Sequence, residues 1–162
     1  MTGTVDLRIE DSRWQAFDPG VLAEGAARAT LTHLGLMAGE FTVAILAGND
    51  ARTAELNAAF RGREGPTNVL SWPSAERRAS RPGALPRPPE EAELGDIALA
   101  FETCAAEAQA AGRPLADHVT HLVVHGLLHL LGHDHENEPD AALMESAEVA
   151  ILAELGLPDP YS

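Results

Sequence analysis

Six of the seven histidines of the chain lie in one apolar stretch, residues 118–136. Within residues 122–131, every residue except His125, Gly126 and His129 is leucine or valine. A helix of this composition is apolar on nearly all sides, which predicts that it is buried. A buried imidazole without a hydrogen-bonding partner costs about 1–3 kcal/mol. A metal ion bound by several histidines would remove that cost, so the stretch predicts a metal centre.

The spacing of the histidines selects two ligands on one helical face. His125 and His129 are four residues apart, so a helix would hold their Cβ atoms about 5–6 Å from each other. Two imidazoles at that separation can bind one ion, because bonds from nitrogen to zinc are roughly 2.0–2.1 Å long. His121 is eight residues before His129, which is about 12 Å along a helix. We therefore expect His121 to be a core residue or a partner of a ligand.

Gly132 supplies a turn after this helix, since glycine just beyond a helix end readily takes a left-handed conformation. The third ligand is expected beyond the turn, where His133, Asp134 and His135 are the candidates. Three protein ligands with an open position for water form the catalytic arrangement of zinc. Gly126 stands where the zincin pattern His-Glu-x-x-His has its catalytic glutamate, which argues against a thermolysin-type peptidase. A core histidine pair without a metal is the alternative that this spacing disfavours.

Residues 125–135 (HGLLHLLGHDH) resemble the signature of the bacterial YbeY family, which comprises rRNA maturation factors described as metal-dependent endoribonucleases. The resemblance implies that His125, His129 and His135 are the metal ligands. His133 departs from the signature, because the family usually has tyrosine at this position.

Further matches extend the resemblance over most of the chain, from about residue 56 to residue 155. Arg61 matches a family arginine, and residues 67–73 (TNVLSWP) and 94–97 (LGDI) are similar to family strands, with Asn68 in place of the usual aspartate. The resemblance implies an α+β fold with one small domain over residues 1–162. In that fold, helices pack on a mixed four-stranded sheet, and a central buried helix carries the metal site.

The activity implied by the resemblance is that of a zinc-dependent endoribonuclease. It would cut single-stranded RNA, process the 3′ end of 16S rRNA and act in ribosome maturation, with one Zn²⁺ per chain activating water or the RNA 2′-hydroxyl. His129 would take part in catalysis as a ligand, and Arg61 would stabilise the charge of the phosphate. Asp134 and Glu136 are expected to orient a ligand histidine. The implied partners are RNA, the small ribosomal subunit and the GTPase Era.

The charge of the chain is unusual for a protein that binds RNA. The net charge is −14 and there is no lysine, whereas phosphate contacts need cationic side chains. Seven of the eleven arginines lie within residues 52–87, so RNA is expected to meet the middle of the chain. Two alternative functions stay open: a non-catalytic ribosome-assembly factor with a structural metal, and a zinc hydrolase of peptides or small molecules.

Residues 74–93 are rich in proline, arginine, alanine and glutamate, and they show no apolar period. We expect a long mobile loop, because structureless segments of this length are usually functional or disordered. The loop arginines are expected either to be solvated or to touch RNA; they are Arg77, Arg78, Arg81 and Arg87.

Apolar spacing predicts the element order β-α-β-α-β-β-α-α-α. The predicted strands cover residues 5–10, 40–47, 66–73 and 94–100, and the predicted helices cover residues 19–34, 51–60, 101–111, 114–131 and 139–155. The single cysteine, Cys104, excludes an internal disulfide and a cysteine-based metal site. The first residues lack the features of a signal peptide, and no uncharged apolar run is long enough to span a membrane, so we expect a cytoplasmic enzyme.

Overall fold

A mixed four-stranded sheet forms the centre of the fold. The computed structural model describes residues 3–61, without the side chain of Arg61, and residues 67–161. The strands are β1 (Val5–Ile9), β2 (Thr42–Gly48), β3 (Val69–Pro73) and β4 (Glu93–Ala100), in the order β1-β2-β4-β3. Strands β1, β2 and β4 are parallel, and β3 is antiparallel to β4.

Five α-helices accompany this sheet in the described part of the chain. They are α1 (Pro19–His33), α2 (Asp50–Arg61), α3 (Phe101–Ala111), α4 (Leu115–Leu130) and α5 (Glu138–Glu154). The predicted α+β class, the single small domain and the predicted element order are therefore confirmed. No helix among the described residues is long and apolar enough to cross a membrane.

Local signals explain where several elements begin. The carboxylate of Asp18 accepts a hydrogen bond from the backbone N–H of Val21 at 3.2 Å, which caps α1. The side chain of Asn137 caps α5 in the same way, with 2.9 Å to the backbone nitrogen of Asp140. Strand β2 starts later than predicted, because Ala38–Glu40 forms a turn of 3₁₀ helix.

Helix α4 is the central helix of the molecule and packs against α1, α3, α5, β3 and β4. Eight of its residues are buried: Val119, Leu122, Val123, Val124, Gly126, Leu127, Leu128 and Leu130. Burying one such leucine contributes about 1.5–3 kcal/mol. The packing of α4 is therefore strong enough to fix the histidines that it carries.

Gly126 allows α4 to approach β4 closely. A Cβ atom at position 126 would lie 3.1 Å from Cδ1 and 3.5 Å from Cγ2 of Ile97. A larger side chain there would push the helix away from the sheet. Close packing thus accounts for the glycine at the position where the zincin pattern has glutamate.

Arg77, in the loop between β3 and β4, is a core residue with only 3% of its surface exposed. Its Nη1 donates to the carbonyl oxygens of Leu130 at 2.8 Å and Leu94 at 3.3 Å. Its Nη2 donates to Ser74 Oγ at 2.8 Å and to the carboxylate of Glu91 at 2.9 Å. The expectation that Arg77 is solvated or touches RNA is therefore wrong, because its donors hold the loop against the end of α4.

Candidate metal centre

His125 and His129 lie on one face of α4, as their spacing predicts. The centroids of their imidazole rings are 4.7 Å apart and the rings are nearly perpendicular. The buried leucines on the remaining faces of α4 leave these two rings as polar groups at the edge of the core. The helix therefore presents two nitrogen ligands together.

A tight turn after α4 returns the chain toward these rings. Gly132 has a positive φ of 104°, and a Cβ at this position would come within 2.5 Å of the carbonyl oxygen of Arg77. Glycine is thus required both by the backbone conformation and by the neighbouring loop. The backbone N–H of His133 donates to the carbonyl oxygen of Leu128 at 3.0 Å, which closes the turn.

The turn brings His135 to the two helical histidines. Its ring centroid is 5.7 Å from that of His125 and 5.1 Å from that of His129. One ligand nitrogen from each of the three residues lies within 4.8 Å of the others. The three-histidine group (His125, His129 and His135) is thus positioned to bind a metal ion.

The three-histidine group is buried on one side and open on the other. His125 and His129 are half-buried, whereas 57% of the His135 side chain is exposed. Burial lowers the pKa of His129 to about 4, and the neighbouring His125 and His135 add to this effect. The imidazole of His129 is therefore neutral at pH 7, which is the form that binds metals.

Glu148, on α5, orients the ring of His125 through a hydrogen bond. Its side chain is fully buried, and its Oε1 accepts a hydrogen bond from Nδ1 of His125 at 2.6 Å. Burial alone would raise the pKa of Glu148, but hydrogen bonds from His121, His125 and Tyr161 outweigh it and hold the pKa at about 2. The carboxylate is ionised and can only accept, so His125 has its proton on Nδ1 and keeps Nε2 for a metal.

A signal for Glu148 is present in the sequence, because its position falls within the apolar period of α5. Glu148 follows Met144 by four residues and precedes Ile151 by three, so it shares the buried face of α5 with them. A charged residue on a buried helical face needs a partner, and the histidines of α4 are the available candidates.

His118 on α4 and His133 in the turn lie outside the three-histidine group. Nε2 of His118 pairs with Oε1 of Glu107 at 2.9 Å, and the same oxygen accepts from Nδ2 of Asn68 at 2.9 Å. Asn68 thus has a structural hydrogen bond. His133 is buried and lies outside the group of candidate ligands.

Asp134 lies between the third histidine and an arginine of the loop. Its Oδ1 accepts from the backbone N–H of His135 at 2.7 Å and is 3.6 Å from Nδ1 of that residue. Its Oδ2 is 3.4 Å from Nη1 of Arg78, which is also 3.6 Å from a carboxylate oxygen of Glu136. Asp134 therefore helps to place His135, as expected from the sequence, although Glu148 is the stronger orienting residue of the site.

A cavity of about 230 Å³ adjoins His129, with Ser71, Pro73, Arg78 and Asp134 among its lining residues. A larger cavity of about 550 Å³ is lined by sheet residues and α2, including Arg8 and Asp96, and by none of the three histidines. The smaller of these two cavities is therefore the one that includes a candidate ligand.

Arg61 is the last residue of α2. Its side chain lies outside the described residues, so its expected contact with phosphate stays a prediction.

The described residues fit a divalent metal ion such as zinc. Three nitrogen donors converge, one of them neutral because of burial and another oriented by a buried carboxylate. Among the described residues no fourth histidine, cysteine or carboxylate joins the group. Cys104 is buried and its thiol faces the carbonyl oxygen of Asn68 at 3.5 Å, so it takes no part.

Sequence comparisons show the family to which the chain belongs. Residues 8–156 match the model of the family described as Endoribonuclease YbeY. A protein named Endoribonuclease YbeY from Jannaschia sp. (strain CCS1) is 56% identical over 97% of this chain and 99% of its own length. A protein of the same name from Paracoccus denitrificans (strain Pd 1222) is 55% identical over 97% of this chain and 89% of its own length.

The solution structure of TM1509 from Thermotoga maritima is similar in fold. It has a TM-score of 0.56 and 21% sequence identity, and the alignment covers 93% of this chain and 92% of that one.

The fold and the three-histidine group together define an α+β protein with a candidate catalytic metal centre. The chain belongs to the Endoribonuclease YbeY family, whose name denotes a nuclease of the hydrolase class.

Proposed function

We propose that this protein is a zinc-dependent endoribonuclease that cleaves single-stranded RNA at the three-histidine group. The observation that carries the proposal is the convergence of His125, His129 and His135 in a chain of this family. Its finer role is the processing of the 3′ end of 16S rRNA during maturation of the small ribosomal subunit, in the cytoplasm. These finer points rest on the family resemblance of the sequence.

The three histidines would hold one Zn²⁺, since three nitrogen ligands with an open position are the usual catalytic zinc arrangement. When bound, zinc supplies a Lewis acid that makes water or a hydroxyl group a better nucleophile near neutral pH. Glu148 keeps Nε2 of His125 available. The exposed side of His135 leaves room for RNA to approach.

Two arginines are suited to hold the phosphate of the substrate. Arg61 would donate to the phosphate oxygens, since a planar guanidinium can donate two parallel hydrogen bonds. Arg78 lines the cavity beside His129, and 54% of its side chain is exposed. Its ion pairs with Glu76, Asp134 and Glu136, at 3.1, 3.4 and 3.6 Å, lie at the surface, where such pairs are weak enough to be exchanged for a phosphate.

The attacking group is either water or the 2′-hydroxyl of the RNA. Attack by the 2′-hydroxyl forms a bond to phosphorus, breaks the bond to the 5′ oxygen of the next nucleotide and leaves a 2′,3′-cyclic phosphate. Attack by water also forms a bond to phosphorus, breaks one of the two ester bonds to the ribose oxygens, whose released oxygen takes a proton, and leaves a linear phosphate. Analysis of the product ends distinguishes the two nucleophiles.

The test is cleavage of a single-stranded RNA that contains the 3′ end of 16S rRNA, with zinc content measured on the same sample. We expect about one zinc per chain, with cleavage lost in His129→Ala and strongly reduced in Arg61→Ala. His33→Ala is the matched control, because His33 pairs with Glu154 outside the three-histidine group. Intact cleavage in Arg61→Ala would remove Arg61 from the mechanism.

The ribosomal role is tested by binding. We expect the protein to associate with the small ribosomal subunit and with the GTPase Era in pull-down experiments from purified components. Absence of both interactions, together with cleavage of the isolated RNA, would limit the proposal to the nuclease activity.

A second candidate function is a non-catalytic ribosome-assembly factor with a structural metal. The observation that favours it is the charge: the net charge is −14, Arg77 is buried and Arg78 is paired with carboxylates. If zinc removal unfolds the protein and no RNA is cut by the zinc-loaded form, this function replaces the first.

The residue at position 126 argues against a zinc hydrolase of peptides. The mechanism of the zincin peptidases needs a glutamate after the first histidine. Gly126 occupies this position, and a Cβ there would already lie 3.1 Å from Cδ1 of Ile97.

A further inference from the structure

Two side chains besides His125 hold the carboxylate of Glu148. Its Oε1 accepts from Nδ1 of His125. Its Oε2 accepts from Nε2 of His121 at 3.0 Å and from the hydroxyl of Tyr161. Because the two oxygens have different donors, His121 and Tyr161 fix the rotation of the carboxylate plane and therefore the direction in which Oε1 points.

Tyr161 reaches Glu148 from the segment that follows α5. Its ring centroid is 5.8 Å from that of His121, with the two rings perpendicular. The segment is held by a hydrogen bond of 3.0 Å from Nη2 of Arg113 to the carbonyl oxygen of Pro160. The ring of Tyr161 is half-exposed while its hydroxyl meets a fully buried carboxylate. The segment thus covers Glu148 without entering the three-histidine group.

We propose that Tyr161 and His121 are positioning residues that act through Glu148 on His125, so that docking of residues 157–161 strengthens metal binding. The inference rests on the proposed function, because it assumes that His125 is a metal ligand. It goes beyond that function in making the affinity of the site depend on a segment that contacts Glu148 and His121 through Tyr161.

The physical reason is the cost of ordering His125 when the metal binds. With both donors to Oε2 in place, the carboxylate is already oriented, and it requires a proton on Nδ1 of His125. Without them, the carboxylate and the imidazole that it orients gain freedom, which metal binding must then remove. Loss of a hydrogen-bonding partner of a ligand lowers metal affinity about 10–100-fold. We expect Tyr161→Phe to lower zinc affinity about 10-fold, the lower end of this range, because Tyr161 acts on the ligand through Glu148 and not directly.

The experiment measures the zinc dissociation constant of the full chain by competition with a chromophoric chelator. Tyr161→Phe and His121→Asn should each weaken binding about 10-fold, and Arg113→Gln should weaken it in the same direction. The matched control is His118→Asn, which also removes a histidine–glutamate hydrogen bond from α4. Glu107, the partner of His118, does not touch a candidate ligand, so zinc affinity should stay within about twofold.

A second measurement reports on His125 in the metal-free protein. Nitrogen-15 NMR of the imidazole distinguishes a proton on Nδ1 from a proton on Nε2. We expect a single Nδ1–H tautomer in the wild type and a mixture in Tyr161→Phe and His121→Asn, with circular dichroism unchanged. A merely structural role of Tyr161 would lower the melting temperature without changing the tautomer.

Unchanged zinc affinity in the folded Tyr161→Phe and His121→Asn variants overturns the proposal, and so does equal weakening in His118→Asn. A wild-type His125 with its proton on Nε2 also overturns it. If the wild type binds no zinc, the proposed function fails. The tautomers of the metal-free proteins then still decide whether Tyr161 and His121 orient His125.

Discussion

At the residue scale, the buried guanidinium of Arg77 stabilises the core through its hydrogen bonds. Its guanidinium donates to the carbonyl oxygen of Leu130, the last residue of α4. The final carbonyl groups of a helix have no partner within the helix, so an outside donor stabilises its end. The loop arginine thereby connects the loop to the helix that carries two of the candidate ligands.

We expect Arg77→Ala to lower the free energy of unfolding by about 2–3 kcal/mol, because a buried carbonyl oxygen loses its donor. The measurement is urea unfolding followed by circular dichroism. Arg81→Ala is the control in the same loop; Arg81 is exposed, and we expect a change within about 0.5 kcal/mol. Equal effects of the two substitutions would contradict a specific role of Arg77.

The residues of the site differ in how far they could be predicted from the sequence. His125 and His129 are related by one helical turn, so their spacing alone indicated that they bind the same metal ion. The inclusion of His135 depended on the family resemblance, because spacing left three candidates after the glycine. Glu148 and Arg77 were missed, since each has partners more than ten residues away and local patterns do not reveal such contacts.

At the element scale, the site depends on the turn that follows α4. The turn carries the chain from a buried helix to an exposed histidine within five residues, and Gly132 has both a positive φ and a close neighbour there. Helix and turn together act as one unit, because the loop before β4 packs against both.

We expect Gly132→Ala to reduce stability and to abolish tight zinc binding, because its Cβ would come within 2.5 Å of a backbone oxygen. The matched control is Gly112→Ala at the end of α3. Gly112 has a φ of 67°, and a Cβ at this position would meet no atom within 4 Å. Gly112→Ala therefore costs only the left-handed conformation of alanine, about 1–2 kcal/mol. Unfolding curves and zinc titrations of both variants test this; tight zinc binding by Gly132→Ala would contradict it.

Helix α1 is tied to the start of the sheet by one carboxylate. Glu24 accepts hydrogen bonds from the backbone N–H groups of Thr4 and Val5 at 3.0 and 2.9 Å, and from Nε of Arg28 at 2.6 Å. Burial alone would raise the pKa of Glu24, but these hydrogen bonds outweigh it and lower the pKa below its usual 4.5.

The stabilisation from Glu24 should therefore depend on pH. A carboxyl with a lowered pKa in the folded state contributes its full stabilisation above the unfolded value of 4.5, and loses it as pH falls through the folded value. We expect Glu24→Gln to be less stable than the wild type at pH 7, with the difference shrinking below pH 4.5. Thermal melts between pH 3 and pH 7 provide the measurement; a difference that grows on acidification would refute this role.

The elements themselves were largely predictable, because their apolar periods are local. The order of strands in the sheet was not, since β2 pairs directly with β4, whereas β3, which lies between them in sequence, pairs with the other side of β4. The later start of β2 was also not predicted, because the 3₁₀ turn at Ala38–Glu40 includes the residue at which the strand was expected to begin.

At the scale of the whole molecule, the negative charge of the protein opposes binding of the proposed substrate, RNA. The net charge of −14 repels a polyanion, and the buried Arg77 offers no help. Among the described side chains, Arg78 lines the cavity beside His129, and Arg61 and Arg78 are the two arginines proposed to meet phosphates. RNA binding should thus depend on a small number of contacts.

We expect the affinity for single-stranded RNA to fall only gently with salt. Two phosphate contacts predict a slope of about −1.4 in a plot of log K against log salt, at about −0.7 per contact. Arg78→Gln should reduce the slope by about 0.7, whereas Arg8→Gln, in the larger cavity, should leave it unchanged. A slope steeper than about −3.5 would indicate five or more contacts and contradict this view.

The late position of α4 in the chain also has a consequence for biosynthesis. Strands β1 and β2 with α1 are synthesised first, yet α1 packs on α4 and β2 pairs with β4. The nascent first half therefore leaves the ribosome with apolar faces uncovered, until residues 115–130 emerge. Such exposed intermediates are bound by chaperones and tend to aggregate, so a stalled, incomplete chain can neither fold nor assemble the three-histidine group.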